Sequence, residues 1–141
     1  MITHRRVRSL VLVALVLGIS GLLRADQEKG KPSIKIRVSP TVVFVPGRIV
    51  ATAELSDGAD DFQDFYCAKV EWSWDDGTTS ESQDDCDPYE PGKSTIRRHF
   101  TNEHRYTLAG NFNVRFALKQ GSKTVGASTM QVRVRDSDLA R

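Results

Sequence analysis

Apolar and polar residues alternate with a period of two along several stretches of the chain. Ile34, Ile36 and Val38 alternate with Lys35 and Arg37, and Pro40 ends the run. Residues 49–55 alternate next, entered through Pro46-Gly47 and left through Ser56-Asp57-Gly58. Val70, Trp72 and Trp74 share one face, with Glu71 and Ser73 on the other. Residues 94–100 carry a weaker pattern. Phe112, Val114, Phe116 and Leu118 form the clearest one, with Asn113, Arg115 and Lys119 outward. Residues 124–134 close the series, with Met130, Val132 and Val134 set against Gln131, Arg133 and Arg135. Successive side chains of a strand point to opposite faces, so this period predicts half-buried β-strands. No segment beyond residue 25 repeats its apolar positions every three to four residues, which excludes a helical core. Short strands separated by Gly, Pro, Asp and Ser turns predict an all-β protein, a β-sandwich of about seven strands.

The first 25 residues stand apart from this pattern. Arg5, Arg6 and Arg8 precede an apolar run over residues 10–23, and Ala25 offers a small residue for cleavage. This is the layout of a secretory signal peptide. An uncleaved anchor is the alternative, but the run of 14 residues is shorter than the roughly 20 a helix needs to span a bilayer. Residues 26–33 read as a polar linker, 34–135 as the domain and 136–141 as a tail. The expected localisation is secreted, periplasmic or cell-surface, with no membrane span after cleavage.

Removing the leader changes the charge balance. The chain has 20 Lys and Arg against 18 Asp and Glu; without Arg5, Arg6, Arg8 and Arg24 the count is 16 against 18. The apparent basic character is thus an export signal, and no nucleic-acid partner is expected. Between Glu54 and Glu90 lie 13 acids and a single base, Lys69; beyond Lys93 arginine and lysine dominate. Solvated strand faces account for most of this segregation.

Cys67 and Cys86 are the two cysteines. In an exported chain they are expected to pair, closing a loop worth roughly 3 kcal/mol of unfolded-state entropy. A two-cysteine metal site is the alternative, and no histidine lies near either residue in sequence. The bridge would pin the acidic loop.

Few motifs carry chemistry. Gly92-Lys93-Ser94 matches the end of a phosphate-binding loop, but the glycine required five residues earlier is replaced by Asp87. His99 and His104 remain after the leader, with no nucleophile elbow to serve. No catalytic residue is assigned, and no cofactor beyond calcium is considered. The calcium ligands would come from Asp75, Asp76, Asp84, Asp85 and Asp87, with Asp57, Asp60 and Asp61 as further oxygen donors; extracellular modules often bind this ion weakly. No EF-hand spacing fixes which carboxylates converge.

Two elements carry a resemblance. The first runs Trp72-Ser73-Trp74-Asp75-Asp76-Gly77-Thr78; the second begins at His104, continues through Tyr106 and Gly110, and enters the strand of Phe112 and Val114. Together they resemble the PKD domain family, whose immunoglobulin-like β-sandwich carries a Trp-Asp-Phe-Gly-Asp-Gly-like turn followed by His-x-Tyr and a Gly-x-Tyr/Phe-x-Val strand. The resemblance spans residues 34–134. It gives Trp72, Trp74, Asp76, Gly77, His104, Tyr106, Gly110, Phe112 and Val114 structural roles. Ser73 stands where the family has Asp, and Asp75 where it has Gly. The longer gap between the elements, containing Cys86, reads as an insertion clipped by a disulfide.

The residues themselves leave two placements open for the tryptophans. On one strand face both fill the space between sheets; if the strand breaks at Ser73, one faces out beside carboxylates as a ligand platform. Asp76-Gly77 makes the turn, and Tyr106 is placed like a tyrosine corner. The function expected from the resemblance and from export is a non-catalytic binding module for protein or polysaccharide. A structural, calcium-binding spacer is the alternative, followed by a secreted enzyme or enzyme inhibitor.

Overall fold

The computed structural model describes residues 30–140; the leader read at residues 1–25, linker residues 26–29 and Arg141 lie outside them. Eight strands follow in order: β1 (Ser33–Ser39), β2 (Val42–Phe44), β3 (Gly47–Ser56), β4 (Lys69–Ser73), β5 (Thr79–Ser82), β6 (His99–Tyr106), β7 (Gly110–Gln120) and β8 (Lys123–Arg135). They form a three-stranded sheet ordered β1-β3-β6 and a five-stranded sheet ordered β2-β8-β7-β4-β5. All pairings are antiparallel except β2 with β8. Pro40 separates β1 from β2, and since proline donates no ladder hydrogen bond the chain leaves one sheet there and joins the other. Among the described residues no helix is long and apolar enough to cross a membrane.

The alternation seen in sequence becomes the core between the sheets. Ile49, Ala51, Ala53 and Leu55 line the inner face of β3, while Val114, Phe116 and Leu118 on β7 and Val132 and Val134 on β8 line the opposite sheet. Small alanines on one sheet are matched by two indoles on the other, and all of them are buried. At Leu118/Lys119 the register shifts. Val125 becomes the extra residue of a bulge and is buried. The next residue, Gly126, lies where a Cβ would strike Ile34 Cδ1 at 2.7 Å and Phe65 Cζ at 2.8 Å, so only glycine permits that packing.

One strand is displaced from its expected position. Residues 94–98 are irregular and the strand is His99–Tyr106. Ile96 is buried, as its apolar character suggested, but from a loop whose N–H donates to the Asp60 carbonyl at 2.7 Å.

Candidate functional site

Trp72 and Ser73 lie on β4, an interior strand of the five-stranded sheet between β7 and β5, and Trp74 follows its end. Trp72 pairs in register with Phe116 on one side and Ser80 on the other. Trp74 keeps the same face beyond the strand end, because its N–H donates to the Thr78 carbonyl at 3.2 Å and prolongs the pairing through the turn. Both tryptophans are buried, 2% and 0% exposed. Their rings stack 5.7 Å apart, and His104 stacks on the far face of Trp74 at 4.5 Å. Phe116 meets Trp72 edge-on and Tyr106 meets His104 edge-on, so an aromatic column joins the two sheets. The Trp74 indole N–H donates to Ser80 Oγ at 3.0 Å, so its polar end is satisfied inside the fold.

Turn chemistry closes one end of this column. Asp75 stands where the family pattern has glycine, and its φ is +63°, a region that glycine enters freely and aspartate tolerates better than most residues. Gly77 has φ +86°. The Asp75 carboxylate accepts from the Asn113 backbone N–H at 2.8 Å and from its side-chain amide at 3.3 Å. Asp76 Oδ1 accepts from the Thr78 hydroxyl at 2.6 Å and the Thr78 N–H at 3.1 Å, and Asp76 Oδ2 lies 2.7 Å from His104 Nε2. Burial pushes the Asp76 carboxyl up, but the bonds from Thr78 and His104 outweigh it and hold the group below the usual aspartate value. Tyr106 is buried, and its hydroxyl is pushed well above the ordinary tyrosine value by burial and then by the charges of Asp76 and Asp75. The hydroxyl donates to the Trp74 carbonyl at 2.9 Å. This corrects the tyrosine-corner expectation. The bond reaches the opposite sheet, not the backbone a few residues upstream, because β6 places Tyr106 on the inner face beneath the end of β4.

The second acidic region is the crossover, two connections that pass between the sheets: residues 57–68 from β3 to β4 and residues 83–98 from β5 to β6. Cys67 and Cys86 are joined, with Cα atoms 6.1 Å apart. The bridge does not act alone. Tyr66 Oη donates to the Asp87 carbonyl at 2.9 Å, Tyr89 Oη to the Asp61 carbonyl at 2.7 Å, and the Gly92 N–H to Asp61 Oδ2 at 2.7 Å. Arg98 reaches the Asp60 carboxylate at 2.6 Å and the carbonyls of Asp57 and Leu55. Asp57, Asp60 and Asp61, considered in sequence as further oxygen donors for calcium, thus edge an ordered layer in which Asp60 and Asp61 hold partners. The loop-fastening roles of Asp61 and Arg98 were missed in sequence; no local signal marks a hydrogen-bonding hub 38 residues from its partner.

The carboxylates named as calcium ligands divide between these two places. Asp75 and Asp76 face different partners within the turn, while Asp84 pairs with Arg97 at 3.4 Å and Asp85 and Asp87 are exposed on the crossover. Among the described residues no group of three or more His, Cys, Asp or Glu is gathered to hold a metal ion. Gly110, Phe112 and Val114 lie on β7, where Phe112 stacks on Tyr106 at 4.4 Å.

A third surface was not singled out in sequence: the outward face of the five-stranded sheet. Its upper half is charge-paired, Lys119 with Glu71 and Lys69 with Glu81. Its lower half carries Asn111, Asn113, Gln131, Arg133 and Arg135 beside the edge strand β2. Three consecutive apolar residues, Val42, Val43 and Phe44, hide β2 from a period-two reading.

A chain start that leaves one sheet at Pro40 and joins the other as β2, and an aromatic column tied by His-x-Tyr to the turn after Trp74, define an immunoglobulin-like β-sandwich of the PKD type. Among solved structures, the PKD domain of an M14-like peptidase from a Thermoplasmatales archaeon superposes with a TM-score of 0.50 at 15% identity, covering 75% of this chain and 98% of that one. The CARDB domain of a Pyrococcus furiosus protein, solved in complex with di-metal ions, gives a TM-score of 0.45 at 12% identity, covering 77% and 97%. No protein-family profile and no curated protein matches the sequence. At 15% identity the likeness to the PKD domain is one of fold.

Proposed function

We propose that the chain is an exported, non-catalytic binding module that recognises a protein or polysaccharide in the periplasm, at the cell surface or in the medium. The observation that carries this reading is that the acid and histidine side chains around the tryptophans are consumed by the fold. Asp75 holds Asn113, and Asp76 holds Thr78 and His104. No buried side-chain nitrogen or oxygen among the described residues lacks a partner, and the partners of Asp75, Asp76 and His104 belong to the turn and the strands that frame it. Export is supported by the basic and apolar leader over residues 1–25 and by the Cys67–Cys86 bridge, which suits an oxidising compartment. A PKD-type sandwich presents its sheet faces and edges as recognition surfaces, and fold alone assigns no chemistry.

The test is a binding screen with turnover monitored in parallel. The folded chain is immobilised and exposed to a glycan array and a displayed-peptide library, and retained ligands are incubated with it and followed by mass spectrometry. The expected result is saturable retention of one ligand class with every ligand recovered intact. Cleavage or modification of a retained ligand, or retention of none, overturns the reading.

A further inference from the structure

We propose that the open edge of β2, with the arginine face beside it, takes an extended acidic segment of a partner protein as an added strand. This rests on the reading of the chain as a binding module and gives that module its surface and partner class. The large apolar side chains exposed among the described residues are Val42 (43%), Phe44 (44%) and Leu108 (74%). Leu108 stands beside Ala109, which with Phe44 lines a cleft of about 700 Å³ at the lower end of the five-stranded sheet. Arg133 and Arg135 line the same cleft.

Register explains why these groups meet. Val42 pairs with Arg133 and Phe44 with Arg135, whereas Val43 pairs with the buried Val134 and packs against the core. Side chains alternate between faces, so Val42, Phe44, Arg133 and Arg135 all project outward. The backbone is disposed in the same way. The Thr41 carbonyl accepts from the Arg133 N–H and the Val45 N–H donates to the Arg135 carbonyl, each at 2.9 Å. Alternate residues of a strand turn their N–H and C=O groups to opposite edges. Val43 therefore faces β8, and the N–H and C=O of Val42 and the N–H of Phe44 face outward. Gly47 packs against the Phe44 carbonyl. An unpaired strand edge is a template for another extended chain.

Charge selects the occupant. Among the described residues neither Arg133 nor Arg135 forms an ion pair, in contrast to the paired lysines higher on the same face. Arg133 Nε donates to Asn111 Oδ1 at 3.4 Å. Asp136 also lines the cleft, and its Oδ1 accepts the Asp138 N–H. A partner strand with carboxylates on its outward positions lays its methylenes over Val42 and Phe44 and brings its charges to the guanidinium groups, which favour carboxylates geometrically. A second copy paired through β2 would set two arginine pairs side by side, and a polysaccharide offers no alternating N–H and C=O to the open edge.

The test uses a fluorescein-labelled peptide of alternating glutamate and valine, titrated into the folded full chain and followed by polarisation, with amide shifts mapped by nuclear magnetic resonance. Expected are saturable binding, perturbation of the Val42 and Phe44 amides, and an affinity lowered about tenfold or more by Arg133→Glu with Arg135→Glu. A lysine–valine peptide should bind no better than background. Unchanged melting of the double variant shows that the fold is kept; if it does not fold, Arg135→Gln with the same amide map replaces it. Three results overturn the proposal: no binding of the glutamate peptide, preferential binding of polygalacturonate, or self-association through the β2 amides. If the screen above retains ligands that the double variant still binds, the module reading stands while this surface assignment fails; if nothing is retained, both fail.

Discussion

Asp75 and Asp76 occupy a tight turn whose carboxylates bond to strands of the sandwich, while Asp60, Asp61 and Asp84 lie on the two crossover connections, whose ties stay near the surface. Asp76 and His104 expose about a fifth or less of their side chains, 21% and 16%, and His104 is stacked on a fully buried indole. Within residues 83–98 the buried side chain is Ile96, and order comes from the disulfide, two tyrosine hydroxyls and Arg98. One region borrows its rigidity from the core; the other is fastened by a covalent clip and a set of hydrogen bonds. Acidic clustering in sequence therefore says little about ligands until the partners of each carboxylate are known.

Substitution at the core-tied end should separate the regions most strongly. Trp74→Ala removes an indole that contacts Trp72 and His104, and is expected to cost about 3–5 kcal/mol in urea denaturation. A loss below about 1 kcal/mol would mean that the column does not organise the core. At the clipped end, Cys67→Ser with Cys86→Ser is expected to cost about 3 kcal/mol, since the bridge closes a separation of 19 residues. A loss below about 1 kcal/mol would mean that the clip adds little to the hydrogen bonds around it.

Acid should act through the turn. The Asp76 carboxyl is lowered in the folded state, so the unfolded chain takes up its proton first as pH falls. The stability this group confers is complete above its unfolded value and is lost as pH drops through the folded one. Stability measured below pH 5 should therefore decline more steeply in the parent than in Asp76→Asn. Parallel curves would show that Asp76 is not coupled to folding. The smallest expected effect is that of calcium: with Asp75, Asp76 and Asp84 already engaged, millimolar calcium should leave the melting midpoint in place, and a midpoint that climbs with calcium would reopen the ion site.

Strands with one wholly apolar face were legible from sequence, and strands without one were not. β3, β4 and β7 alternate because their inward positions are apolar. β6 carries Phe100, Asn102, His104 and Tyr106 inward, so only its two ends look buried and its expected position slid toward Ile96. β2 and β5 are short edge strands, one apolar throughout and one polar throughout, and edges impose no alternation. The pairing of His104 with Asp76 spans 28 residues, and only the two-part resemblance brought these residues together. The reach of Tyr106 to Trp74 and the clasp of Arg98 depend on which loops face each other, which local pattern does not encode.

Amide hydrogen exchange, before and after reduction of the disulfide, tests the contrast most directly, because exchange reads local opening residue by residue. The N–H groups of Trp74, Thr78 and Asn113 report on the core-tied turn, and those of Gly92, Ser94 and Ile96 on the clipped crossover. Reduction is predicted to speed exchange at Gly92, Ser94 and Ile96 and to leave Trp74, Thr78 and Asn113 protected. Loss of protection at both sets together, or fast exchange at Thr78 and Asn113 in the oxidised protein, would contradict it.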